Sequence, residues 1–95
     1  MQRLIEKSGK EMAYVMVNCE SGEELKVIDE IGTIDGIKEI RYTFGSYDIV
    51  TKIECMSVEE LRETISLKIR KIDGVHSTTT LICNTHHPPL LVSLV

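Results

Sequence analysis

Apolar and polar residues first fall into a regular pattern at Met12. From Met12 to Cys19, Ala13, Val15, Val17 and Cys19 alternate with Met12, Tyr14, Met16 and Asn18, a period of two that predicts a strand. Both sets contain apolar groups, so the strand is expected to lie centrally, covered on both faces. Ser21-Gly22 then opens a predicted helix over 23–34. Glu23 and Glu24 suit the positive end of its dipole, and Leu25, Val27, Ile28 and Ile31 form its apolar stripe. Asp35-Gly36 ends it, since glycine accepts the left-handed backbone that helix ends often need.

Two strand-like runs follow, 37–44 and 47–55, rich in β-branched and aromatic residues and joined around Gly45-Ser46 as a hairpin. Ser57 with Glu60 three places on is a capping-box pattern, predicting a second helix to about Ile72 with Val58, Leu61, Ile65, Ile69 and Ile72 inward. Asp73-Gly74 ends it, and 75–83 is the last strand. The chain also repeats itself. Glu23-Glu24-Leu25 leads to Ile34-Asp35-Gly36-Ile37, and Glu59-Glu60-Leu61 leads to Ile72-Asp73-Gly74-Val75.

This order, β-α-β-β-α-β, predicts an α+β, ferredoxin-like domain over 12–83: a four-stranded antiparallel sheet with both helices on one face. The first and third strands are expected side by side at its centre, running parallel. Cys19 and Cys55 would then end at one edge and Cys83 at the other. Residues 1–11 read as an N-terminal arm. In the tail, 84–95, His86-His87-Pro88-Pro89 precedes an apolar run expected to pack on its own or a neighbouring subunit.

The face away from the helices is expected to carry Tyr14 and Met16, Ile40 and Tyr42 or their alternates, and His76, Thr78, Thr80 and Ile82. Such a half-apolar face suits a twofold contact between two copies, hence a homodimer packed sheet to sheet. Size points the same way, because a chain of 95 residues hides only roughly 60–65% of its unfolded surface.

Composition narrows the function. A formal charge of −4 without a basic cluster lacks the cationic footprint that displaces counterions from phosphates, which argues against direct nucleic-acid binding. Three cysteines without CxxC spacing fit neither a disulfide scaffold nor a zinc site and suggest a reducing cytoplasm. No apolar run approaches the roughly 18 residues of a membrane span. His76, His86 and His87, with or without Cys83, do not match metal-ligand spacings. The runner-up reading, a small dimeric ferredoxin-like barrel enzyme of the monooxygenase or isomerase type, needs an acid, a base or a cofactor inside the cavity. Here the expected helix-facing positions, from Val15, Val17, Leu25 and Ile28 through Ile53, Leu61, Ile65 and Ile69 to Leu81, are aliphatic. His76 with Asp48 is the one dyad on offer, and no cofactor is implied.

The hairpin Phe44-Gly45-Ser46-Tyr47-Asp48-Ile49 carries the clearest chemistry. Gly45 permits a turn whose amides face outward, and Asp48 supplies a carboxylate beside them. Together they could receive a zwitterion, or they could form an ordinary tight turn with a solvated acid.

GSYDI, between a strand and the run VTKIEC, resembles the G-x-Y-D motif of the leucine-responsive/AsnC family's effector-binding domain. The resemblance extends from Tyr14 to Cys83, through IDGI, SVEEL and GVHSTTTLI. It implies a ligand-sensing, oligomer-forming domain rather than an enzyme. It further implies sheet-to-sheet dimers, often joined into rings, with a small effector, commonly an amino acid, bound between dimers. By position, the implied ligand contacts are Gly45, Ser46, Tyr47 and Asp48, joined by Thr78 and Thr80 on the last strand. The family's helix-turn-helix is not expected here, as the 11 residues ahead of Met12 would not hold three helices. This stand-alone form would act by joining full-length family regulators. A purely structural oligomerisation module is the other non-enzymatic reading.

Overall fold

The computed structural model describes residues 10–83. The first strand, β1 (Glu11–Cys19), leads through Ser21-Gly22 into helix α1 (Glu24–Ile31). Strands β2 (Ile37–Tyr42) and β3 (Ile49–Cys55) form the hairpin. Helix α2 (Val58–Glu63) runs into a π-helical segment (Thr64–Ile69), and β4 (Val75–Ile82) closes the domain. The arm and tail expectations fall, apart from Lys10 and Glu11, outside these residues.

The sheet order is β2-β3-β1-β4, as the βαββαβ order predicts. The expected parallel arrangement of the two central strands fails: β1 and β3 pair antiparallel, with Glu11 opposite Cys55 and Val17 opposite Ile49. The α1 crossover sends β2 in the direction of β1, and the hairpin reverses β3 between them. Cys55 therefore lies at the start of β1, at the same end of the sheet as Cys83, which flanks β1 on its other side and whose amide donates to the Met12 carbonyl at 2.8 Å. Cys19 lies at the other end, so the expected grouping of the cysteines is corrected.

Ala13, Val15, Val17 and Cys19 face the helices as their alternation predicts, joined by Ile49 and Ile53 from β3. Val27 and Ile31 from α1, and Leu61, Ile65 and Ile69 from the second helical unit, close the core. Burying each large aliphatic side chain contributes about 1.5–3 kcal/mol.

Leu25 leaves the predicted stripe and is 70% exposed. The helix is shorter than predicted, ending at Gly32, and it rests on Val27 and Ile31, which turns Leu25 outward. The second helix starts as read from the sequence. Ser57 Oγ accepts from the Glu60 amide at 3.1 Å, while Glu60 Oε1 accepts from the Met56 amide at 2.8 Å. The predicted continuous helix instead widens after Glu63, where the Arg70 amide reaches back five residues to Ile65 at 2.9 Å.

In β4 the faces are reversed from expectation. A register shift opposite Asn18/Cys19 places Thr78, Thr80 and Ile82 across from Val17, Val15 and Ala13, on the helix side. The outward residues of β4 are Ser77, Thr79 and Leu81. Leu81, expected among the helix-facing set, is 58% exposed. The outer face keeps Tyr14 between Lys52 and Leu81, and Met16 between Val50 and Thr79. From β2 it takes Arg41, opposite Val50, rather than Ile40 and Tyr42, which lie opposite Thr51 and Ile49.

Candidate ligand-binding site

At the hairpin the chain turns on Gly45, whose φ of +116° no side-chain-bearing residue adopts without strain. A Cβ there would meet nothing within 4 Å, so the glycine serves the backbone and not a close contact. The Thr43 amide donates to the Asp48 carbonyl at 2.9 Å, and Thr43 Oγ1 donates to the Tyr47 carbonyl at 2.7 Å. Phe44 stands fully exposed, its ring 6.3 Å from that of Tyr42. Ser46 is exposed, and Tyr47 and Asp48 are half-buried.

Asp48 is held from both ends. Its amide donates to the Val17 carbonyl at 3.0 Å, and its Oδ2 accepts from the Cys19 amide at 2.9 Å. The β1–β3 ladder ends with Val17 opposite Ile49, so the Cys19 amide beyond it finds a charged acceptor in Asp48. The Cys19 thiol is pushed above its ordinary value, first by burial and then by the Asp48 and Glu24 carboxylates. That keeps it protonated and a poor nucleophile. Sequence reading missed Cys19 as a neighbour of the site, because no local pattern reports a contact across 29 positions.

The six implied contacts do not converge within one chain. Gly45, Ser46, Tyr47 and Asp48 form one turn. Thr78 lies across β1, sharing Val17 as a neighbour with Ile49, and Thr80 is one step further, across Val15 from Thr51. Both threonines are half-buried on the helix side. The His76–Asp48 dyad is not formed, for His76 Nε2 lies 2.8 Å from Glu20 Oε1 instead.

The βαββαβ order, with its four-stranded antiparallel sheet and glycine-turned hairpin, makes this an α+β, ferredoxin-like domain. The model of the Lrp/AsnC ligand binding domain matches residues 12–86, and the chain belongs to that family. It is 34% identical over 85 residues to the regulatory protein AsnC of Escherichia coli, covering 82% of this chain and 55% of that protein. The E. coli AsnC structure superposes with a TM-score of 0.78 at 25% identity, over 96% of this chain and 64% of that one. A homocitrate synthase of Sulfurisphaera tokodaii matches at 36% over 69 residues, 72% of this chain but only 15% of the enzyme. The chain thus spans about half the length of the AsnC regulator it matches.

Proposed function

We propose that this domain senses a small effector, an amino acid, in a homo-oligomer of the Lrp/AsnC regulator type, without catalytic activity. The sheets of two copies meet through the face of Tyr14, Met16, Val50 and Leu81 to form a dimer, and dimers join into a ring. The effector lies between dimers, against Gly45, Ser46, Tyr47 and Asp48 of one hairpin, with Thr78 and Thr80 completing the polar lining. The domain touches neither nucleic acid nor membrane directly and works in the cytoplasm, reaching transcription through full-length relatives that carry a DNA-reading unit. Among the described residues, no helix is long and apolar enough to cross a membrane.

The observation that carries this reading is the state of Asp48. One oxygen is committed to the Cys19 amide, which fixes the carboxylate's direction, and the group remains half-open to solvent. A pre-positioned carboxylate beside a glycine turn suits an ammonium group, and the turn's outward amides suit a carboxylate. The six residues are split by β1, which supports a pocket completed by another copy.

A thermal-shift screen of the full chain against the twenty amino acids tests this. A ligand at a hundredfold excess over Kd stabilises by about 2.7 kcal/mol. A hit should also alter the mass seen by light scattering or its concentration dependence. The absence of any hit would overturn sensing and leave a structural oligomerisation module, a reading that the Asp48–Cys19 contact also suits.

A further inference from the structure

The internal repeat allows the two helix-to-strand turns, Asp35-Gly36 and Asp73-Gly74, to be compared. Both glycines have positive φ, +97° and +101°. Each carbonyl accepts from a residue near the end of the strand beside it: Gly36 from the Glu54 amide at 2.8 Å, Gly74 from the Glu20 amide at 2.7 Å.

What covers the two turns differs. At Asp73-Gly74, Lys26 of α1 donates through Nζ to the Asp73 carbonyl at 2.8 Å and lies 3.5 Å from its carboxylate. Only a hollow of about 250 Å³ remains there. The step between the two Glu-Glu-Leu segments, taken from Lys26, lands on Arg62, which forms no ion pair among the described residues. The Thr64 side chain, two positions on, turns inward to 3.9 Å from Cys55 Sγ, and Asp35 forms no ion pair among the described residues.

A groove of about 470 Å³ opens there instead. The second repeat is two residues longer between its cysteine and its glycine, Cys55 to Gly74 against Cys19 to Gly36. The π-helical segment lies within this longer stretch and brings Thr64, Leu67 and Lys68 to the groove wall; π-turns are frequent at functional sites. Asp35, Lys38 and Glu63 line the same groove. Asp35, Glu63, Lys38 and Lys68 form no ion pair among the described residues. These four charged groups therefore line one cavity without an ion-pair partner among the described residues, beside Lys10, Glu54 and Glu60.

We propose that the Asp35-Gly36 groove binds a small molecule carrying both a primary ammonium and a carboxylate. Its ammonium takes at Asp35 the place that Lys26 Nζ takes at Asp73, and its carboxylate meets Lys38 and Lys68. The groove lies at the Cys55 end of the sheet, away from the hairpin, and is independent of the effector reading above.

The test is amide-resolved NMR of the ¹⁵N-labelled full chain, titrated with 5-aminovalerate, L-leucine, butylamine and butyrate. Saturable shifts of the Gly36, Thr64 and Lys68 amides by the two zwitterions are expected. The half-molecules, and the variants Asp35→Asn and Lys38→Ala, should each weaken binding about tenfold or more. Asp48→Ala should leave it unchanged. The proposal is overturned if those amides do not move, if binding survives Asp35→Asn, or if butylamine binds as tightly as 5-aminovalerate. Shifts confined to the hairpin would also overturn it while supporting the effector site, so the two ideas fail separately.

Discussion

The Asp48 carboxylate accepts the Cys19 amide at 2.9 Å, joining the hairpin to the end of β1 across 29 positions. That bond gives one residue two separable roles. As an acceptor it satisfies a partly buried amide, and in the site proposed above its half-buried charge would receive the effector's ammonium. Asp48→Ala leaves the amide without its acceptor and should cost about 1–3 kcal/mol. Asp48→Asn retains an oxygen acceptor and should cost about 1 kcal/mol or less. Urea denaturation measures both. If the carboxylate also receives an effector's ammonium, Asp48→Asn loses the ligand response despite its near-native stability. A fully responsive Asp48→Asn would assign the residue to the fold alone.

How far the sequence reveals these features depends on whether each is local. The alternation of Ala13, Val15, Val17 and Cys19 is a local signal, and it held. So did the capping pattern of Ser57 and Glu60, whereas the helical segments stop at Ile31 and Ile69, short of the predicted glycine stops at Gly36 and Gly74. The failures belong to long-range geometry. Leu25 matched the helical period but lay outside because α1 seats on Val27 and Ile31. Thr78 and Thr80 changed face because a one-residue bulge in pairing with β1 shifts every side chain that follows. The Asp48–Cys19 contact and the opening beside Thr64 have no local signature. The hairpin was visible as a chemical possibility, whereas its attachment to β1 was not.

The two left-handed glycines at Gly36 and Gly45 should respond differently to substitution. At Gly36 an added Cβ would lie 2.9 Å from the Glu54 carbonyl oxygen, backbone that cannot swing aside. At Gly45 it would meet open space, so only the positive-φ strain of about 1–2 kcal/mol applies. Gly36→Ala should therefore be the more destabilising, by about 1 kcal/mol or more beyond that strain, since overpacking typically costs 1–3 kcal/mol. Thermal unfolding of the two variants at equal concentration checks the order, and equal losses would contradict it.

Thr51 sits fully buried between Val15 and Ile40 on neighbouring strands, and its Oγ1 has no hydrogen-bond partner among the described residues. A hydroxyl in that position costs free energy that a methyl does not. Thr51→Val should raise stability by about 1 kcal/mol, read as a higher urea midpoint with an unchanged slope. A loss of stability would reveal a partner for that oxygen.

The cysteines supply a reactivity order and a pH dependence. Cys19 and Cys55 are buried and Cys83 is partly open, so iodoacetamide should modify Cys83 first in the native protein. The other two should react at the rate of opening. The Cys19 thiol holds its proton more tightly when folded than in the unfolded chain. Its contribution to stability is thus complete below the ordinary thiol value of 9.0 and fades as pH rises from there through the raised native value. Unfolding measured on either side of that value, in the parent and in Cys19→Ala, should show a steeper alkaline loss in the parent.

The outer face offers the test of assembly. Tyr14 stands between Lys52 and Leu81, and Met16 between Val50 and Thr79, an apolar centre with Arg41 and Glu54 towards the rim. Tyr14 is 38% exposed and Leu81 58% exposed in the single chain. In a sheet-to-sheet pair these side chains would leave water and contribute about 25 cal/mol per Å² of apolar surface buried. Met16→Asp places a charge at that centre without touching the helix-side core. In a dimer two such charges meet in a drying interface, where like charges oppose association. Light scattering at micromolar concentration should give twice the chain mass or a multiple of it for the parent and one chain mass for Met16→Asp, with unchanged far-ultraviolet circular dichroism. A parent that stays a single stable chain would remove the dimer and, with it, any pocket that needs a second copy to close.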